Sequence, residues 1–94
     1  MPRAFVNDQV IAESEHFESV EGNVYFPPSA LVRQFFRESD THTTCGWKGE
    51  ASYYDLVVDE NVLKDAAWYY ANPKAAAINI RDHVAFDRRV RVET

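Results

Sequence analysis

Short runs of apolar and branched residues, separated by turn-forming residues, recur along the chain. The first run, RAFVNDQVIAESE (3–15), predicts two strands around an Asn-Asp turn, because both side chains tolerate tight backbone geometry. The second, HFESVEGNVYFPP (16–28), repeats the pattern around Glu-Gly-Asn at 21–23. Its two prolines end the strand, since proline cannot donate a ladder hydrogen bond. The first third of the chain therefore predicts a meander of short antiparallel strands.

The middle of the chain contains one ambiguous segment and one clear hairpin. In SALVRQFFRESD (29–40), Ser29 is suited to cap a short helical turn, whereas QFFRES has strand character, so we expect a turn followed by a strand. Aromatic and branched residues in ASYYDLVVD (51–59) favour another strand. A turn at Asp-Glu-Asn then leads into VLKDAAWYYANP (62–73), which we interpret as its hairpin partner.

The last third predicts one helix and two strands. Pro73 precedes KAAAINIRD (74–82), whose alanines suit a short helix. HVAFD (83–87) and RRVRVET (88–94) are typical of strands, the latter through its alternation of arginine and valine. Many short strands at close intervals predict a mainly β fold in a single domain, residues 1–94. We expect a compact antiparallel two-sheet structure or a small barrel, with one or two short helices.

Composition narrows the classes of partner and compartment. A net charge of −5 disfavours binding to nucleic acid, which requires a positive surface. No apolar run is long enough to span a bilayer, and the N-terminus lacks a signal-peptide core, so no membrane association is expected. The single cysteine excludes an intramolecular disulfide. We therefore expect a cytoplasmic protein with a reduced thiol and no cofactor, and its oligomeric state stays open.

The residues best suited to chemistry are concentrated in THTTCGWKGEASYYD (41–55). Cys45 is a candidate nucleophile, because nearby positive charge favours the thiolate, and His42 and Lys48 each lie three residues away. The alternative is a buried, inert thiol, which is the commoner role of a lone cysteine. Whether the protein is an enzyme is left open by these residues.

The same segment also suggests a binding turn. Glycines flank Trp47 and Lys48, so that Gly49 allows the backbone to approach an anion or carbonyl and Lys48 supplies charge; a plain solvent-facing turn is the alternative. His42 and Cys45 have ligand-like spacing, but a structural zinc site usually needs four ligands, and the other two histidines lie far away in sequence. No metal site is predicted.

Several aromatic residues are candidates for the wall of a pocket. Tyr53 and Tyr54 are adjacent in a predicted strand, so their side chains point to opposite faces of the sheet. Core packing explains most of the aromatics, while one or two of them would be free to stack on a planar ligand. We select Tyr53 and Trp68 as the stacking surface, with Tyr25 or His42 as hydrogen-bonding groups.

Three ordered motifs carry a resemblance that covers nearly the whole chain. They are THTTCGWKGEASYYDL, VLKDAAWYYANP and HVAFDRRVRV, with VYFPPSAL upstream. Together they resemble the bacterial domain-of-unknown-function family 427, which also carries a nucleotidyltransferase label. The matching positions are Thr43, Cys45, Lys48, Gly49, Ala51 and Tyr53, then Ala67, Trp68, Tyr70 and Pro73, then Val84 to Phe86.

The resemblance implies a fold and also supports a functional role for one motif. It implies a β-tent-like arrangement of two sheets, similar to that of methionine sulfoxide reductase B, although the zinc cysteines of such relatives are missing here. Nucleotidyl transfer finds no support, because the chain lacks a Gly-Ser-like loop and metal-holding paired carboxylates. The family's Cys-x-x-Lys-Gly motif increases the expectation that Cys45 and Lys48 belong to a pocket.

These observations lead to three hypotheses. The first is a small β domain that binds a planar or anionic small molecule around Cys45, Lys48, Gly49, Tyr53, Trp68 and Tyr25. The second is a thiol-dependent enzyme in which Cys45 is the nucleophile and His42 or Lys48 lowers its pKa. The third is a non-catalytic protein-interaction module in which the motif only holds a turn against the sheet.

Overall fold

Nine strands and three short 3₁₀ helices form the protein, whose computed structural model describes residues 1–94. The strands β1 to β9 span Arg3–Val6, Gln9–Glu13, Glu18–Val20, Asn23–Tyr25, Phe36–Cys45, Gly49–Val58, Asn61–Tyr69, Val84–Phe86 and Arg91–Glu93. The 3₁₀ helices span Pro28–Ala30, Arg33–Phe35 and Ala75–Ile80. The predicted mainly β fold is confirmed.

All strand pairs in the three sheets are antiparallel. The largest sheet has the order β5-β6-β7-β8, a second has the order β2-β1-β9, and β3 and β4 form a separate hairpin. None of these sheets closes on itself, so the structure is not a barrel. Of the two expected architectures, packed antiparallel sheets or a small barrel, the structure therefore has the packed sheets.

The predicted hairpin turns lie where the local sequence placed them. Asn7 has a φ of 53°, and Glu21 and Gly22 have φ values of 54° and 80°. In the β3–β4 turn both central residues have positive φ, which gives a type I′ turn whose twist matches that of the flanking strands, whereas in the β1–β2 turn only Asn7 does. The β3–β4 turn therefore projects a glycine and a glutamate at the end of a short, well-defined hairpin.

The helical predictions were correct in place and partly wrong in detail. Ser29 is not a cap: it lies inside the first 3₁₀ helix, which begins after Pro27 without a side-chain cap. The predicted strand QFFRES begins at Phe36, because the second 3₁₀ helix occupies its first positions. The alanine-rich segment is a 3₁₀ helix with a kink at Ala77 rather than a regular helix. A stretch this short cannot offset the cost of nucleating an α-helix.

Two hydrophobic clusters lie on opposite faces of the largest sheet. The larger one fills the space between this sheet and β1, β2 and β9. The smaller one includes Tyr25 of β4 and two residues of the 3₁₀ helix at Ala75–Ile80, Ala77 and Ile80. Tyr54 packs against the larger cluster and Tyr53 against the smaller one, as their adjacent positions in β6 predicted.

No helix of the structure is long and apolar enough to cross a membrane.

Candidate functional site

The Cys-x-x-Lys-Gly motif forms the tight connection between β5 and β6. Cys45, the last residue of β5, pairs with Gly49, the first residue of β6, and three residues form the loop between them. Lys74, from the segment after Pro73, supports this loop: its backbone N–H donates to the Lys48 carbonyl at 2.9 Å and its ammonium donates to the Gly46 carbonyl at 2.6 Å. The motif is thus held in place by a distant part of the chain.

Lys48 is buried and already has an ionic partner. Its ammonium donates to the carboxylate of Glu21 in the β3–β4 turn, and it lies 5.5 Å from the ring centroids of both Trp47 and Tyr70. Burial alone lowers the pKa of Lys48, but the hydrogen bond to Glu21 and neighbouring negative charge outweigh it and raise the pKa above its ordinary value. Lys48 is therefore a charged group that joins two turns, rather than an open anion-binding group.

Cys45 is partly exposed, and the loop that follows it lowers the pKa of its thiol. The backbone N–H groups of Lys48 and then Trp47 are the main cause of this lowered pKa. Burial and the charge of Glu21 oppose the shift, while the charge of Lys48 adds to it. The loop therefore favours the thiolate mainly through its backbone.

His42 lies on the opposite face of the sheet from Cys45. The two residues are three positions apart in a stretch of β5 with regular pairing, so their side chains project in opposite directions. The Nδ1 atom of His42 is 3.2 Å from the Ser52 hydroxyl and 4.0 Å from the Glu50 carboxylate. A Ser-His-acid relay uses both ring nitrogens, whereas here both partners contact the same nitrogen. His42 thus neither approaches Cys45 nor forms a relay with Ser52.

The selected aromatics do share one region of the molecule. Tyr53 and Trp68, like Cys45, pack against the smaller cluster, and Tyr25 is a fully buried member of it. The indole N–H of Trp68 donates to the Tyr25 hydroxyl at 3.2 Å, and the Tyr53 hydroxyl bonds with the Thr43 hydroxyl at 2.8 Å. The hydroxyls of Tyr25 and Tyr53 are therefore already partnered.

The cavity of the molecule, a groove of about 370 Å³, lies beside Trp68 and away from the motif's loop. We call it the Trp68 groove. Its apolar lining consists of Val24, Trp68, Phe86, Val90 and Val92, and its remaining lining of Gly22, Asn23, Asp87, Arg88 and Thr94. Of the residues selected from the sequence, only Trp68 belongs to it. The other lining residues of the groove were not predicted from the sequence, because β4, β7, β8 and β9 meet only in the tertiary structure.

The Trp68 groove and the Cys-x-x-Lys-Gly loop are joined through the β3–β4 turn. Glu21 binds Lys48, and the next residue, Gly22, lines the groove. Trp68 lies between the two features, because it lines the groove while packing against the same cluster as Cys45. The two features therefore share one turn and the contact through Trp68, whereas the other apolar lining of the groove packs with the larger cluster.

Acidic, histidine and cysteine side chains form no group of three or more that is close enough to hold a metal ion.

Comparison with known proteins identifies a single family. Its sequence profile, labelled NTP_transf_9 and described as "Domain of unknown function (DUF427)", matches residues 2–94. No curated protein matches the chain. The match covers almost every residue, including those of the loop and of the Trp68 groove, and its description assigns no activity to either.

Proposed function

The chain belongs to the domain-of-unknown-function family DUF427, and on that premise we propose that it is a small-molecule-binding domain whose binding site is the Trp68 groove. The observation that carries the proposal is the groove itself. Its volume of about 370 Å³ falls within the range of small-ligand sites, roughly 300–1,000 Å³. Half of its ten lining residues are hydrophobic and most of the others are polar, so the groove offers both an apolar wall and groups that can orient a ligand.

The ligand expected from this lining has a flat apolar body. Trp68 is the largest aromatic residue of the lining, and three valines and Phe86 supply the remaining apolar wall. Aromatic rings stack in offset or edge-on arrangements on such a surface and gain about 0.5–1.5 kcal/mol beyond the burial of their area. A planar ligand, as the sequence suggested, therefore suits this groove better than the loop, where Lys48 is already paired with Glu21.

The proposal is tested by mapping where a planar probe binds. We expect that titration of ¹⁵N-labelled protein with 2-naphthoate and with 2-naphthalenemethanol shifts the amide resonances of Gly22 to Val24 and Arg88 to Val92, together with the Trp68 indole resonance. Shifts centred on Gly46 to Gly49 would instead identify the loop as the site. No saturable shift with either probe would refute small-molecule binding of this kind.

Matched variants localise the binding further. Val92→Gln places a polar side chain in the groove, whereas Val62→Gln makes the same change at an exposed position of β7 outside it. We expect Val92→Gln to weaken probe binding at least about tenfold, or about 1.4 kcal/mol, and Val62→Gln to leave it unchanged. Equal effects of the two substitutions would contradict the assignment of the groove.

A second candidate function is favoured by the partly exposed thiol of Cys45, which lies at the tight β5–β6 loop and whose pKa the loop backbone lowers. We propose that Cys45 acts as a thiolate nucleophile whose pKa is lowered by the loop rather than by a neighbouring base. His42 projects from the other face of β5, and Lys48 is charged and paired, so neither is positioned to take the proton. Because Cys45 is the only cysteine of the chain, its reactivity can be measured without interference.

The test is the rate of alkylation of Cys45 by iodoacetamide as a function of pH. In this reaction the thiolate forms a carbon–sulfur bond and displaces iodide. We expect the rate of the folded protein to reach half its plateau below about pH 8.5, the ordinary pKa of a cysteine, and at a lower pH than that of the same protein in urea. A folded thiol that titrates at or above the value in urea would exclude this candidate.

A further inference from the structure

Arg88 is the one basic residue that lines the Trp68 groove, and it has no ionic or hydrogen-bonding partner. Most other arginines of the protein are engaged: Arg3 with Glu13, Arg91 with Glu93, and Arg89 with Asp87. Arg88 is also an exposed residue, so a ligand can reach it without first breaking an internal contact. Its donors form a planar fork that matches the two oxygens of a carboxylate.

The only acidic side chain in the groove lining is already neutralised. Asp87 accepts hydrogen bonds from Arg89 at 2.7 Å and 3.0 Å, and from the Arg89 backbone N–H at 2.8 Å. Arg89 is itself anchored, since it also donates to the Lys64 carbonyl at 2.6 Å. The side chains at the edge of the groove therefore present one uncompensated positive charge.

From this arrangement we propose that the Trp68 groove selects a small aromatic or heteroaromatic monoanion, with its ring against Trp68 and its anionic group on Arg88. The proposal rests on the ligand-binding function given above and adds the chemical class of the ligand. A single unpaired cation matches a single negative charge. The net charge of −5 repels ligands of higher negative charge, so that polyphosphates and nucleic acids are disfavoured.

The test compares three probes that share a ring system and differ in charge. They are 2-naphthoate (anionic), 2-naphthalenemethanol (neutral) and 2-naphthylmethylamine (cationic at neutral pH), with dissociation constants measured by NMR titration at low ionic strength. We expect 2-naphthoate to bind about tenfold more tightly than the alcohol, which corresponds to about 1.4 kcal/mol, and the amine to bind most weakly.

Variants assign the preference to one side chain. Arg88→Gln is expected to weaken 2-naphthoate binding about tenfold and to leave the alcohol unaffected, since the charge-assisted hydrogen bonds are lost while the ring contacts remain. Arg37→Gln, which removes an exposed and unpartnered charge from β5 outside the groove, is the matched control and should change neither constant. Both positions are exposed, so neither variant is expected to disturb folding.

Each outcome separates this inference from the function on which it rests. If the alcohol binds in the groove as tightly as 2-naphthoate, or if Arg88→Gln and Arg37→Gln have equal effects, the anionic class is wrong although the groove still binds ligands. If none of the three probes binds the groove, the proposed function itself is wrong. A tenfold preference for 2-naphthoate that Arg88→Gln abolishes and Arg37→Gln preserves would support both.

Discussion

The two glycines of the loop have different physical roles, although they look equivalent in sequence. Gly49 has a φ of 110°, and it is buried against the backbone of Asn72, Pro73 and Lys74. Gly46 has an ordinary φ and no atom within 4 Å of the position that a Cβ would occupy. The close backbone approach expected at Gly49 is therefore present, and the partner in the structure is another segment of the same chain.

This difference predicts that substitution by alanine destabilises the protein at Gly49 but not at Gly46. We expect Gly49→Ala to lower the free energy of unfolding by about 1–2 kcal/mol, because an alanine is strained at this φ even where a Cβ has room. Gly46→Ala should be close to neutral. Urea unfolding of the two variants measures both values, and similar losses in the two would show that backbone strain at Gly49 is not the cause.

Lys48 combines a buried stem with a charge that reaches a neighbouring turn. Its side chain is only 9% exposed, whereas that of its partner Glu21 is 50% exposed. Removal of the lysine therefore leaves a carboxylate that water can hydrate again, which limits the loss. The lost packing of the aliphatic stem adds to the cost.

We expect Lys48→Ala to destabilise the protein by about 1–2 kcal/mol, most of it from packing and the ion pair together. Arg3→Ala is the control, because Arg3 also pairs with a carboxylate, that of Glu13, but the two side chains are 50% and 43% exposed. Chemical denaturation should give a much smaller change for this control. Equal changes would indicate that the burial of Lys48 contributes nothing.

At the scale of elements, irregular pairing in the central sheet is accompanied by side-chain hydrogen bonds between β5 and β7. The register of β5 on β6 shifts between Glu38 and His42, and that of β6 on β7 shifts between Tyr54 and Leu56. Asp65 lies at the second irregularity with a φ of 54° and accepts hydrogen bonds from the Ser39 and Thr41 hydroxyls. The Asp65 carboxylate thus joins the two bulged regions of the sheet.

This network predicts an acid-sensitive contribution to stability. Hydrogen bonds from Ser39 and then Thr41 lower the pKa of Asp65 in the folded protein. A lowered folded-state pKa contributes stability that is fully present above the unfolded value, about 3.9, and is lost as the pH falls through the folded value. The contribution of Asp65 should therefore disappear below about pH 4.

We expect Asp65→Asn to lower the Tm at neutral pH, with the difference from wild type shrinking as the pH is lowered below about 4. Asp59→Asn is the control, since Asp59 has the same φ of 54° in an exposed turn and makes no side-chain hydrogen bond. Thermal unfolding monitored by circular dichroism across this pH range gives both differences. A pH-independent loss for Asp65→Asn would contradict the role of its charge.

At the scale of the whole molecule, the two hydrophobic clusters are linked through the same strands. Within β8, Val84 and Phe86 belong to the larger cluster and Ala85 to the smaller one, and all three are buried. β7 similarly contributes Ala66 and Ala67 to the larger cluster, and Tyr70 just beyond its end belongs to the smaller one. Unfolding of β7 or β8 would therefore expose the apolar residues of both clusters.

The prediction of one domain over residues 1–94 therefore becomes a prediction of one cooperative transition. In a Trp47→Phe variant, Trp68 is the only tryptophan and reports on the smaller cluster, while far-ultraviolet circular dichroism reports on all three sheets. We expect the two urea-unfolding curves to coincide. Separated midpoints would indicate that the smaller cluster unfolds independently.

The sequence by itself determined the local structure and the general class of fold. Turn residues such as Asn7 and Gly22 have backbone preferences that act within a few residues, and period-two patterning places Tyr53 and Tyr54 on opposite faces of one strand. These preferences are short-range, so they can be read without knowing the fold. The three ordered motifs likewise identified the family, while the β-tent relationship that they imply stays a prediction.

Only the tertiary structure decided which polar groups are partnered and where a cavity forms. Lys48 looked like an open binding group until the β3–β4 turn placed Glu21 on its ammonium, 27 residues away in sequence. Arg88 belongs to an arginine-rich end of the sequence, and only the meeting of β4, β7, β8 and β9 forms a groove beside it. Burial, charge pairing and concavity depend on contacts between distant segments, and no local pattern specifies which segments will meet.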